Sequence, residues 1–149
     1  VSLAAKERYR VLALDFGTVR IGVAVSDELR MLASARGTIP NDGQVIPSIL
    51  SAIQKEQAKI VLMGLPVGLS GQETAMTTQV RKFGDRLKRK LEVLGVGFEY
   101  RDERLTSVMA NANIAMSGLP KIKRQEKGLR DEEAARILLQ DYLDHPTAT

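Results

Sequence analysis

Two rhythms of apolar and polar residues divide this chain. "RVLALDF" (10–16) and "RIGVAVSD" (20–27) are apolar runs of strand length. Only three residues, "GTV", separate them, which suits an antiparallel hairpin. "LASARGTI" (32–39) reads as a third strand. After Asp42 and Gly43 the spacing turns helical, with Val45, Ile46, Ile49, Leu50 and Ile53 on one face. "KIVLMGL" (59–65) is continuously apolar, as a strand buried on both faces would be. "PVGLSGQ" (66–72) is rich in turn residues. Residues 74–94 predict a long helix, with Val80, Phe83, Leu87, Leu91 and Leu94 on one stripe and Arg81, Lys82, Arg86, Lys88, Arg89 and Lys90 away from it. "VGFEYRDE" (96–103) is a strand that ends in acids. Residues 107–116 predict a short helix and "SGLPKIKRQEKGLR" (117–130) a basic loop. Residues 131–143 predict a last helix, packing through Ala134, Ala135, Ile137, Leu138 and Tyr142.

Three meandering strands followed by alternating helices and strands predict an α/β fold, a mixed sheet flanked by helices. No repeat, linker or low-complexity stretch interrupts the 149 residues, so a single domain, 1–149, is expected.

Composition narrows the chemistry. No apolar run approaches the length of a membrane span, and residues 1–10 lack the apolar core of a signal peptide. There is no cysteine, hence no disulfide and no thiolate ligand, which fits a cytoplasmic protein. The one histidine, His145, lies beside Pro146 near the end of the sequence, where residues are often mobile. Carboxylates are left to do any chemistry, and carboxylate and water ligands favour Mg²⁺ or Mn²⁺. The net charge of +4 favours a polyanionic partner. Aromatics at 4% offer little for stacking on single-stranded bases.

Acids mark three predicted element ends. Asp15 closes the first strand, Asp102 and Glu103 close the last, and Asp131 opens the final helix. In open α/β sheets sites form where strand ends converge, and a carboxylate cluster there calls for cations. Two metal ions held by shared carboxylates can activate a water and stabilise the leaving oxygen of a phosphodiester. Plainer readings exist for each acid. Asp131, followed by Glu132 and Glu133, is a normal helix cap and first turn. Asp102 and Glu103, between Arg101 and Arg104, make an ordinary solvated charge run. Asp15, before Gly17, is an acceptable turn residue.

The same residues carry a family resemblance. "DFGTVRIGVAVSD", "GLPVGLSGQE", "RDERLTS" and "DEEAARILLQDYLD" occur in the order found in the YqgF/RuvX family, described both as Holliday junction resolvases and as pre-16S rRNA nucleases. The likeness spans residues 10–144. It implies an RNase H-like fold, with a five-stranded mixed sheet whose first three strands are antiparallel. It also implies that Asp15, Glu103 and Asp131 are the catalytic, metal-binding carboxylates, with Asp102 a secondary acid. Residues 64–71 match the family's loop near the site. Arg20 matches the arginine of "RIG" and would contact phosphate or a site acid. The sequence departs from the family pattern at Arg130, where a valine is common, and at Ser107, where a threonine is common.

Lys121, Lys123, Arg124, Lys127 and Arg130 precede Asp131 and could guide a strand toward the metals, since cationic side chains offset phosphate charge; a solvated loop is the plainer reading. The helix face from Arg81 to Lys90, which includes Asp85, reads as solvated. The leading expectation is a two-metal nuclease, with Mg²⁺ or Mn²⁺ as cofactor. Its partner would be pre-16S rRNA for 5′-end maturation, or branched DNA for junction resolution, and a homodimer is allowed. Two other classes compete. "DFGT" resembles the phosphate-binding opening of actin-like and sugar-kinase folds, but those need a second domain. A non-catalytic nucleic-acid-binding module would keep the basic residues and need no acids.

Overall fold

The computed structural model describes residues 7–68, 70–102 and 127–145. The elements run β1 (Arg10–Asp15), β2 (Arg20–Ser26), β3 (Ala33–Pro40), α1 (Val45–Glu56), β4 (Ala58–Leu65), α2 (Ala75–Leu94), β5 (Gly97–Asp102) and α3 (Lys127–Asp144). The strands form one five-stranded sheet in the order β3-β2-β1-β4-β5. β1 pairs antiparallel with β2, and β2 with β3. β4 runs parallel to both β1 and β5. The expected α/β architecture, a five-stranded mixed sheet with its first three strands antiparallel, is therefore what the chain adopts.

The alternation of β1 divides two cores. Leu12 and Leu14 face α1 and α2, packing with Ile49, Ile53, Val80, Leu87 and Leu91. Val11 and Ala13 face α3, packing with Ala24, Leu62, Ala135, Leu138 and Leu139. Because both faces are covered, β1 and β4 read as continuous apolar runs rather than alternating ones.

Helix ends follow local chemistry. Thr74 caps α2, its hydroxyl accepting from the Thr77 backbone while Thr77 reaches back to the Thr74 N–H. Gly95 ends α2 at φ 72, a left-handed conformation that glycine adopts at little cost. This turn leaves Leu94 58% exposed, so the expected packing stripe of α2 stops at Leu91.

One expectation is corrected at the last helix. α3 begins at Lys127, not at Asp131. Lys127 and Arg130 therefore belong to the first turn of a helix rather than to a loop. Asp131 is its fifth residue, so it is not a cap. The expected helix at 107–116 and the rest of the basic segment lie outside the described residues.

Candidate active site at the carboxyl edge of the sheet

β1, β4 and β5 run the same way, so their carboxyl ends share one edge of the sheet. Asp15 ends β1 there. Asp102 ends β5 on the same edge, opposite Leu65 of β4. Strand period two decides which acids share a face. Asp15 continues the series Val11, Ala13 and so lies on the α3 face. Asp102 continues the series Phe98, Tyr100, which packs with the α1 and α2 core. It therefore falls on the opposite face from Asp15. Glu103 lies outside the described residues.

Asp131 reaches the edge from above. It is one helical turn before Ala135, at the head of the buried stripe of α3. The apolar face of α3 and the apolar face of β1 thus run together and each ends in an aspartate. Gly22, the register partner of Asp15 on β2, lies directly beneath Asp131. A Cβ on Gly22 would stand 2.1 Å from the Asp131 carbonyl oxygen. The Asp131 carboxylate is held in the same place, because a Cβ on Gly17 would lie 3.7 Å from its Oδ2. That oxygen is sealed from bulk water, and the residue is only 8% exposed.

The turn between β1 and β2 is fixed by Asn41, whose Nδ2 donates to the Gly17 carbonyl at 2.8 Å and whose N–H donates to the Val19 carbonyl at 2.9 Å. Arg20 opens β2 at this edge, on the α3 face by alternation with the core residue Ile21. Among the described residues its guanidinium takes part in no ion pair. The loop that follows β4 folds back on itself, with Gly68 N–H donating to the Gln72 carbonyl at 2.7 Å. The Thr77 hydroxyl donates to the Pro66 carbonyl and ties the loop to α2. At the far end of α3, Arg101 of β5 grips Asp141 through Nε at 3.0 Å and Nη2 at 2.9 Å. The Tyr142 hydroxyl meets Glu99 at 2.9 Å, and burial followed by that carboxylate pushes the phenol up to about 12.

Asp15 and Asp131 are thus brought to one face of one edge, with Arg20 beside them. Lys127 and Arg130 lie one turn or less from Asp131 along α3, and Lys121, Lys123 and Arg124 lie outside the described residues. The donor set suits a hard cation: carboxylate oxygens, one of them buried, next to two glycines that leave the space clear. An ionised carboxylate so buried is stable only with hydrogen bonds, a cation or both. Among the described residues no three acids or imidazoles gather closely enough to complete a metal site by themselves. Sequence reasoning found both acids and Arg20 but passed over Gly22 and Glu132. A glycine inside an apolar strand is itself a sign that another backbone comes close.

Comparison with known proteins agrees with this geometry. In structure the chain is similar to Thermus thermophilus RuvC in complex with a Holliday junction substrate, at TM-score 0.57 and 13% identity, covering 95% of this chain and 98% of that one. It is equally similar to the fowlpox virus resolvase in complex with Holliday junction DNA, at TM-score 0.57 and 11% identity, covering 93% and 99%. These likenesses establish a shared RNase H-like fold. In sequence it is 38% identical over 135 residues to a Phocaeicola vulgatus protein named as a pre-16S rRNA nuclease, covering 91% of this chain and 95% of that one. A Chlorobaculum tepidum protein of the same name is 37% identical over 143 residues, covering 95% and 98%. The RuvX family model, described as Holliday junction resolvase, matches residues 9–145. With a family match over nearly its whole length and relatives well above 30% identity, the chain belongs to the RuvX family.

Proposed function

We propose that this chain is a divalent-metal-dependent endonuclease that hydrolyses phosphodiester bonds of structured nucleic acid, with precursor 16S rRNA as its substrate. The observation that carries the reading is the meeting of Asp15 and Asp131 at the end of the α3-side core. A fold gains no stability by ending two apolar stripes in carboxylates on one face of one edge. A site that gathers cations needs such an ending.

In this reading Asp15, Asp131 and Glu103, the residue after the end of β5, hold Mg²⁺ or Mn²⁺. When bound, such ions supply Lewis acidity to activate a water and to stabilise the departing oxygen. Asp15, on the rigid end of a central strand, is the fixed ligand. Asp131 comes from a helix and depends on how that helix is seated. Gly17 and Gly22 keep side chains out of the space between them. Arg20 offers a cation on the same face to orient a phosphate. Lys127 and Arg130, together with Lys121, Lys123 and Arg124, would draw in the phosphate backbone, most strongly at low salt. The relatives' names favour rRNA maturation, and hence a cytoplasmic place of work. The resolvase reading draws on the description of the matching family model and on the likeness in fold to two resolvases in complex with junction DNA.

The test is cleavage of labelled 16S rRNA precursor and of a four-way DNA junction, each with Mn²⁺, Mg²⁺ or EDTA, by wild type and Asp15→Asn. Metal-dependent cutting of the precursor, lost in the folded variant, is expected. Cutting of the junction alone would replace the rRNA reading with the resolvase reading. Full activity of Asp15→Asn would remove the catalytic assignment. Binding without cutting under every metal condition would leave a nucleic-acid-binding module.

A further inference from the structure

We propose that Gly22, Gly37 and Glu132 are positioning residues that together set the Asp131 carboxylate over the end of β1. This rests on the reading of Asp131 as a metal ligand. The three residues form a seat for the head of α3.

The seat has two parts. The first is a contact without side chains. Gly22 lies so close under α3 that an ideal Cβ would stand 2.1 Å from the Asp131 oxygen, 2.4 Å from its carbonyl carbon and 2.9 Å from the Glu132 nitrogen. All three obstacles are backbone, so no rotamer change relieves them. The height of α3 above the sheet is thus set at the peptide unit between Asp131 and Glu132.

The second part is a polar latch. In the β2–β3 ladder Gly22 pairs with Thr38 and Ala24 with Ala35. Arg36 and Gly37 therefore both oppose Val23, which makes a β-bulge. Gly37 adopts φ 80, and its N–H turns toward α3 and donates to Glu132 Oε1 at 2.7 Å. Bulges recur beside active sites, where they re-aim a group at the cost of a ladder bond. Here the bulge supplies a donor to the residue next to Asp131, and so sets the rotation of the helix as Gly22 sets its height. A second bond, Ala33 N–H to Gln140 Oε1 at 2.9 Å, holds α3 to β3 further along. Gln140 is more than two turns from Asp131, so it anchors the helix without aiming the carboxylate.

The experiment measures Mn²⁺ binding without nucleic acid, by electron paramagnetic resonance of the free ion, alongside urea unfolding. The variants are Gly22→Ala, Glu132→Ala, Glu132→Gln and Gln140→Ala, with Asp131→Asn as reference. Gly22→Ala and Glu132→Ala should weaken Mn²⁺ binding about tenfold or more, as loss of groups that orient a ligand commonly does. Glu132→Gln keeps an acceptor oxygen for Gly37 and should bind Mn²⁺ like wild type. Gln140→Ala should lower stability and leave Mn²⁺ binding unchanged.

The proposal is overturned if Glu132→Ala binds Mn²⁺ as wild type does. It is also overturned if Glu132→Gln is as weak as Glu132→Ala, because the carboxylate charge would then be what matters. Equal weakening by Gln140→Ala would reduce the effect to general loosening of α3. Should Gly22→Ala not fold, the Glu132 pair decides alone. Should Asp131→Asn bind Mn²⁺ normally, the ligand reading fails, and amide exchange at Gly37 and at 131–135 judges the seat. Exchange that quickens in Glu132→Ala but not in Glu132→Gln keeps it, and unchanged exchange discards it.

Discussion

Gly22 and Gly84 both lack room for a methyl group, and the prediction is that replacing them has different consequences. In Gly22→Ala the new Cβ meets the α3 backbone at 2.1 and 2.4 Å, so the helix must lift by on the order of 1 Å to restore van der Waals contact. That shift loosens Ala135, Leu138 and Leu139 against Val11, Ala13 and Leu62. Overpacking of this kind costs about 1–3 kcal/mol, while the stiffer unfolded chain returns about 0.4–1 kcal/mol. Taking the middle of each range, the net loss is about 1–1.5 kcal/mol. Gly84→Ala also places a Cβ 2.1 Å from an obstacle, but this one is the Tyr100 hydroxyl, the far end of a side chain. The ring can swing away, losing the donation of its single hydroxyl proton, shared at 3.3 Å between the Arg81 carbonyl and Asp85. Alanine inside α2 gains about 0.8–1 kcal/mol of helix propensity, which offsets roughly one hydrogen bond. Gly84→Ala should therefore be near neutral. Urea unfolding followed by circular dichroism resolves the two. With m of about 2 kcal/mol per molar, the middle of the usual range, the Gly22→Ala midpoint falls by roughly 0.5–0.75 M, and the Gly84→Ala midpoint stays near wild type. Equal shifts, or the larger shift in Gly84→Ala, would refute the distinction between a backbone obstacle and a side-chain obstacle.

The same unfolding assay tests two further expectations. Leu138 is 1% exposed in the α3-side core, so Leu138→Ala should cost about 2–5 kcal/mol; at Val93, 87% exposed, alanine should stay within about 0.5 kcal/mol, and comparable losses at the two sites would contradict the assigned burial. Asp27 organises the β2–β3 turn, accepting from the N–H groups of Leu32 at 2.8 Å, Met31 at 2.7 Å and Leu29 at 3.2 Å. These bonds, Leu32 foremost, lower its carboxyl below the ordinary 3.8. A lowered folded pKa stabilises the native state above the unfolded value, and the gain is lost as pH falls through the folded one. Asp27→Asn should therefore be less stable than wild type at neutral pH and approach it in acid, whereas a gap that persists unchanged below pH 3.8 would exclude the carboxylate as its source.

Much of the fold was legible because it follows from local pattern. Both β1 and β4 are continuous apolar runs, as strands covered on two faces must be. α2 carries its cap at Thr74 and its stop at Gly95. The start of α3 was not legible. Its first turn, "KGLR", holds a glycine and two cations and shows no apolar period, so nothing local marks it as helix. The error moved Asp131 from inside a helix to its cap, and with it the plainer reading of that acid. Asp102 shows the opposite case, since period two along β5 was enough to separate it from Asp15 once the covering of each face was known.

By itself the sequence determined the element order, the apolar stripes, the acids at their ends and the motifs of a family. Those are properties of neighbours along the chain, where side-chain period and capping act. Only the tertiary structure decided that the stripes ending in Asp15 and Asp131 lie on one face, that Gly22 is the floor beneath Asp131, and that the bulge at Gly37 latches Glu132. These depend on which strand pairs with which and on how closely a helix may approach a sheet. Residues 109 and 95 positions apart meet there, Asp131 with Gly22 and Glu132 with Gly37, and no local pattern encodes contacts between residues so far apart.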